Sequence, residues 1–124
     1  MTRILIMDDE DGFRTLLRLM LEESGYDVVE AADGEAGIQM YCKEPTDLII
    51  TDIFMPRKDG LEAITVLKRN YPDVKIIAIS GGGMRDEFDY LNHAKAFGAQ
   101  KIFLKPFDLQ EMLDAIEVLL GRDK

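Results

Sequence analysis

The sequence predicts an α/β fold, a doubly wound parallel sheet built from five strand–helix units in one domain over residues 1–124. Three observations carry this reading. Short runs of Ile, Leu, Val, Met and Phe alternate with longer stretches whose apolar residues recur at helical spacing. The short runs are not cleanly alternating, as parallel strands covered on both faces require. A chain of 124 residues fills one domain and can bury roughly two-thirds of its unfolded surface without staples.

The first strand is expected at 3–7, in ILIM before an acidic turn. A helix over 12–24 follows, with Phe13, Leu16, Leu17, Met20 and Leu21 as an apolar stripe expected to be core. Gly25 ends it, where a left-handed turn suits glycine. The second unit is a strand at 27–31 and a helix at 34–43. The third pairs a strand at 47–51 with a helix at 60–70, whose start carries Asp59 and Glu62 at the spacing of a helix cap with a reciprocating glutamate. The fourth runs from a strand at 74–80 to a helix at 85–97, closed by Gly98. The fifth is a strand at 101–104 and a helix at 109–120. Asp108 and Glu111 repeat the cap spacing there, and Leu109, Met112, Leu113, Ile116, Leu119 and Leu120 form the stripe. Pro45, Pro56, Pro72 and Pro106 all fall outside helix interiors. No repeat, low-complexity tract or linker interrupts the pattern.

Composition narrows the function. The 47% apolar and 31% charged content is that of a soluble globular protein. No apolar run approaches the roughly 18 residues of a membrane span. MTRILIMDD opens with a strand-length run rather than a signal peptide, so a cytoplasmic location is the expectation. A net charge of −9 argues against direct nucleic-acid binding, where a basic face dominates affinity. Cys42 is the single cysteine and is expected as a small packed helix residue, while the single histidine, His93, has no partners for a ligand role.

The chemistry concentrates at strand ends. Asp8 and Asp9 follow the first strand, Asp52 the third and Lys105 the fifth. If the strands are parallel, all four groups meet at one sheet edge. Crowded acids are costly without a cation, and Mg²⁺ or Mn²⁺ suits oxygen donors. A carboxylate beside such an ion can attack phosphorus and form an acyl phosphate, with the lysine as a fixed charge for the phosphoryl oxygens. Ser80 ends the fourth strand with a hydroxyl donor, and Gly81, Gly82 and Gly83 follow it, the Gly81 amide being a further donor.

ILIMDDE, TDIFMPRKDG, AISGGG and KIFLKPF stand in the order and spacing of the signatures of a response-regulator receiver domain of two-component signalling, and the chain resembles that family from residue 4 to 107. The resemblance implies the flavodoxin-like strand order 2-1-3-4-5, whose switch point falls between the first and third strands. It implies that Asp52 accepts a phosphoryl group from a histidine kinase or phosphotransfer protein, and that the domain catalyses its own phosphorylation and slow dephosphorylation rather than acting as an enzyme on other substrates. By the same resemblance the Mg²⁺ ligands are Asp9, Asp52, the backbone carbonyl of Phe54 and, mainly through water, Asp8. Ser80, Gly81 and Lys105 contact the phosphoryl group, and the Lys105–Pro106 peptide is cis.

The chain departs from the family pattern at two places. The aromatic three residues before the KPF lysine is Ile102 here, and Phe103 beside it should face the other side of the sheet. The segment from Ser80 to Gly98 is longer than in compact members. Signal output is expected on the face formed by residues 84–120, toward an output domain or protein partner. The fifth helix offers Gln110, Glu111, Asp114 and Glu117 there, so a monomer is expected over a symmetric dimer. Three other readings fit less well, and the nearest of them, a receiver-like domain that no longer takes phosphate, is disfavoured by the presence of all the acids and the lysine. A haloacid-dehalogenase-type phosphohydrolase accounts for Asp9-x-Asp11 but leaves Asp52 unused and wants a Gly-Asp motif the chain lacks. A flavin binder wants a hydroxyl-rich phosphate loop where Asp8 to Asp11 stand.

Overall fold

In the computed structural model the described residues are 2–53, 60–81, 94–105 and 107–121. Five strands form one sheet: β1 (Arg3–Met7), β2 (Asp27–Ala31), β3 (Leu48–Asp52), β4 (Ile76–Gly81) and β5 (Lys101–Lys105). All pairings are parallel and the order is β2-β1-β3-β4-β5. The helices are α1 (Asp11–Glu23), α2 (Gly34–Lys43), α3 (Gly60–Asn70), a helical turn at 94–97 termed α4, and α5 (Leu109–Leu119).

Strand side chains alternate between two apolar layers, because successive residues point to opposite faces. Leu5, Met7, Ile49, Ile76 and Ala78 join one layer, with Ala63, Ile64 and Leu67 of α3 and Tyr41 of α2. Ile4, Ile6, Leu48, Ile50, Ile77 and Ile79 join the other, with Leu17 and Leu21 of α1 and Met112 and Ile116 of α5. Every residue of β3 is buried, which explains why Leu48, Ile49 and Ile50 follow one another without a polar residue between them. Ile102 packs against the first layer and Phe103 against the second, so the two do point apart.

The helix ends follow local chemistry. Gly25 and Gly98 have φ of 97° and 130°, a region costly for residues with a Cβ. Tyr26 N–H closes the end of α1 by donating to the Leu21 carbonyl at 3.1 Å. Asp108 caps α5 by accepting from Gln110 N–H, and Asp33 caps α2 by accepting from Ala36 N–H. The cap expected at Asp59 lies outside the described residues, as do His93 and most of the helix expected at 85–97.

Three expectations need correction. Leu16 is 51% exposed, because only Leu17 and Leu21 of the α1 stripe face the sheet squarely. Cys42 is exposed on α2, where Tyr41 takes the buried position. The third, fourth and fifth strands run one residue further than expected, to Asp52, Gly81 and Lys105, while the fourth begins at Ile76 and not at 74. The extra residues put three of the residues of interest inside the hydrogen-bonded ladder. Among the described residues no helix is long and apolar enough to cross a membrane.

Candidate functional site

The parallel order decides which side chains meet. β1 and β3 are central neighbours, and both end at the same edge of the sheet. Asp8 leaves β1 and is fully buried, with its amide donating to the Ala31 carbonyl at 3.1 Å. Asp52 ends β3 and is 6% exposed. Asp9 follows Asp8 and is exposed. One carboxylate oxygen from each of Asp8, Asp9 and Asp52 lies within 4.8 Å of the others. Such a set of hard oxygen donors fits Mg²⁺ or Mn²⁺, which keep water in the remaining positions.

Lys105 reaches into this group from the end of β5. Its Nζ donates to Asp52 Oδ2 at 3.1 Å and Asp8 Oδ2 at 3.3 Å, and lies 3.7 Å from Glu10 Oε1. Burial pulls the ammonium pKa down, but the charges of Asp52 and Asp8 and the hydrogen bonds to both outweigh it, leaving it above its ordinary value. The lysine is therefore held charged. It balances two buried carboxylates that would otherwise repel each other.

Further residues shape the turn after β1. Glu10 N–H donates to Asp8 Oδ1 at 2.8 Å. Arg14, one turn into α1, donates through Nη1 to the Asp8 carbonyl at 2.6 Å, through Nη2 to Asp11 at 2.7 Å and through Nε to Glu30 at 2.8 Å. Arg18 also pairs with Glu30, at 3.0 Å. The acidic turn is thus tied to β2 by one guanidinium fork. On the other side of the site, Gly60 N–H donates to the Ile53 carbonyl at 2.7 Å. A Cβ on Gly60 would collide with the Asp52 carbonyl oxygen and stand 2.6 Å from Ile53 Cα. Only glycine lets α3 begin this close to the Asp52 backbone.

The structure brings Asp8, Asp9, Asp52 and Lys105 together. Ser80 is buried within β4, one residue before its end, and Gly81 pairs in register with Lys105. Ile102 sits on β5 three residues before Lys105. Phe54 and Pro106 lie outside the described residues. Sequence reasoning missed Phe13, Arg14 and Gly60 as neighbours of the site. An arginine placed shortly after four consecutive acids was a signal for Arg14.

Comparisons with known proteins agree with this geometry. The family model described as response regulator receiver domain matches residues 4–117. Sporulation initiation phosphotransferase F of Bacillus subtilis is 34% identical over 118 residues, covering 95% of this chain and 93% of that protein. The transcriptional regulatory protein PdtaR of Mycobacterium tuberculosis is 36% identical over 123 residues, covering 97% of this chain but 57% of that protein. Among solved structures, a response regulator receiver domain protein from Clostridium thermocellum superposes with a TM-score of 0.90 at 27% identity, over 98% of this chain and 96% of that one. The response regulator TrrA from Thermotoga maritima, solved in complex with Mg²⁺ and beryllium fluoride, gives 0.85 at 31% identity over 96% and 99% of the two chains. The chain belongs to the response regulator receiver domain family. It is a receiver domain of the two-component type, with the flavodoxin-like sheet that the family shares.

Proposed function

We propose that this domain accepts a phosphoryl group on Asp52 from a phosphohistidine of a kinase or phosphotransfer protein, and that the phosphorylated form presents a changed surface to a partner. The observation that carries the reading is the Lys105 ammonium held between Asp52 and Asp8, with Asp9 beside them at the C-terminal edge of the sheet. TrrA, solved with Mg²⁺ and beryllium fluoride, and the phosphotransferase from B. subtilis support it by similarity.

In the step, an Asp52 carboxylate oxygen attacks phosphorus. A bond from that oxygen to phosphorus forms as the phosphorus–nitrogen bond to the histidine breaks, and the imidazole leaves with the bonding electron pair and is protonated. Lys105 donates to the phosphoryl oxygens in place of the Asp52 oxygen that became esterified. The Ser80 hydroxyl and the Gly81 amide are the proposed further donors. Asp8, Asp9, Asp52 and the Phe54 carbonyl would hold Mg²⁺ or Mn²⁺, whose charge screens the repulsion between an anionic acceptor and an anionic donor. Hydrolysis of the acyl phosphate by water returns the carboxylate.

Intact mass after incubation with acetyl phosphate tests this. One phosphate is expected with Mg²⁺, none with a chelator and none in Asp52→Asn. Uptake persisting unchanged in Asp52→Asn overturns the assignment.

A further inference from the structure

The Lys105 ammonium has a neighbour that is not a carboxylate. Its Nζ lies 3.9 Å from the centroid of the Phe13 ring. Phe13 is the third residue of α1 and is half-buried. Its ring packs against a second aromatic. Phe107 meets it edge-on at 6.1 Å between centroids with planes 86° apart, and Phe103 lies 5.6 Å from Phe107. Three aromatic side chains from α1, β5 and the segment after β5 thus pack in a chain, and the one at its end, Phe13, carries the lysine over its ring.

We propose that Phe13 is a positioning residue that holds the Lys105 ammonium at the site through the face of its ring. The proposal rests on the reading of Asp52 as phosphoryl acceptor. In the unphosphorylated protein Asp52 and Asp8 attract the lysine. Once Asp52 is esterified and the acidic group is neutralised by a cation, that attraction weakens. The ring quadrupole attracts a cation without accepting a conventional hydrogen bond. It therefore leaves the three ammonium N–H groups available to phosphoryl oxygens. An aliphatic residue at position 13 fills similar space but offers no negative face. The contact is partly desolvated, since the Lys105 side chain is only 15% exposed, and such contacts are the stronger ones.

Binding of beryllofluoride in saturating Mg²⁺, read by fluorine NMR, tests the proposal in the wild type, Phe13→Leu, Phe13→Met and Phe13→Tyr. The leucine and methionine variants should bind it roughly three- to thirty-fold more weakly, the worth of a partly desolvated cation–π contact. Their affinity for Mg²⁺ alone should be unchanged, and Phe13→Tyr should bind like the wild type. The Lys105 methylene protons next to nitrogen should also resonate upfield in the wild type, from the ring current, and lose that shift in Phe13→Leu. Tyrosine weakening binding as much as leucine would show that packing, not the ring face, matters, and would overturn the proposal. So would wild-type affinity in a folded leucine or methionine variant, or the absence of the upfield shift in the wild type. A wild type that bound no beryllofluoride at all would sink the reading of Asp52 and this proposal with it, whereas failure of the variants alone sinks only the role of Phe13.

Discussion

Lys105 holds two buried carboxylates in one place, and that makes it structural as well as chemical. Asp8 is fully buried and Asp52 nearly so, and Lys105 Nζ lies within 3.3 Å of an oxygen of each. Taking away one partner of a buried pair costs more than the pair contributes, because the remaining charges are left without compensation. Lys105→Met should therefore lose about 1–3 kcal/mol without divalent cation, the cost of leaving a buried polar partner unmet. In a domain of this size that is a fall of several degrees in Tm. Millimolar Mg²⁺ should raise the Tm of the variant more than that of the wild type, since the ion brings positive charge to the same oxygens. Thermal melts followed by circular dichroism check both. An unchanged Tm with an unchanged response to Mg²⁺ would argue that the ion pairs hold nothing together. Asp8, Asp9, Asp52 and Lys105 were all legible in the sequence, because each ends an apolar run and parallel strands bring such ends to one edge. Phe13 was not, and Arg14 was signalled only by its place shortly after four consecutive acids. Their contacts depend on how far α1 is rotated about its own axis against the sheet, and an apolar stripe fixes that only to within a residue or so.

The same looseness explains α1 itself. Its stripe was read as wholly buried, yet Leu16 is 51% exposed while Leu17 and Leu21 are not. Five apolar residues on a helix of this length cover more arc than one sheet face can bury. Gly60 at the start of α3 shows a second limit. A glycine that opens a helix reads as an ordinary boundary, and only the closeness of two backbones reveals its need. Since a Cβ there would strike the backbone of Asp52 and Ile53 and not a flexible side chain, α3 or the end of β3 must move to admit one. Gly60→Ala should destabilise the domain by about 1–3 kcal/mol, the usual cost of overpacking, and should slow uptake of phosphate from acetyl phosphate at Asp52. Denaturant unfolding and timed intact-mass measurement check the two effects. A variant of wild-type stability and rate would show that α3 shifts freely. Apart from the fourth helix, the helix bounds to within one or two residues and the glycine turns at Gly25 and Gly98 were readable in advance, because each depends on local pattern and chain length, whereas the strand order came from the resemblance to the receiver family.

At the scale of the whole molecule, charge bears on assembly. The chain carries a net −9, and Gln110, Glu111, Asp114 and Glu117 of α5 are exposed on one side. A shallow groove on that side is lined by Lys101, Phe103, Glu111, Asp114, Ala115 and Val118, with Val118 52% exposed. A two-fold contact there would set acid against acid, with Lys101 as the basic member of the groove. The domain with beryllofluoride and Mg²⁺ should therefore remain monomeric by light scattering at tens of micromolar, and its apolar and acidic surface suits a more basic partner. A clean shift to dimer mass would overturn this.

The ties that Lys105 makes span 97 residues to Asp8 and 53 to Asp52. Contacts so distant along the chain form only when most of the backbone is already in place, since closing such loops costs entropy before any contact repays it. Strands β1, β3 and β5 must all have found their neighbours before the charged cluster exists. A partly folded chain thus has no such site, and whatever occupies the cluster acts as a clasp on the finished molecule, fastening its first strand to its last and slowing its opening without hastening its assembly.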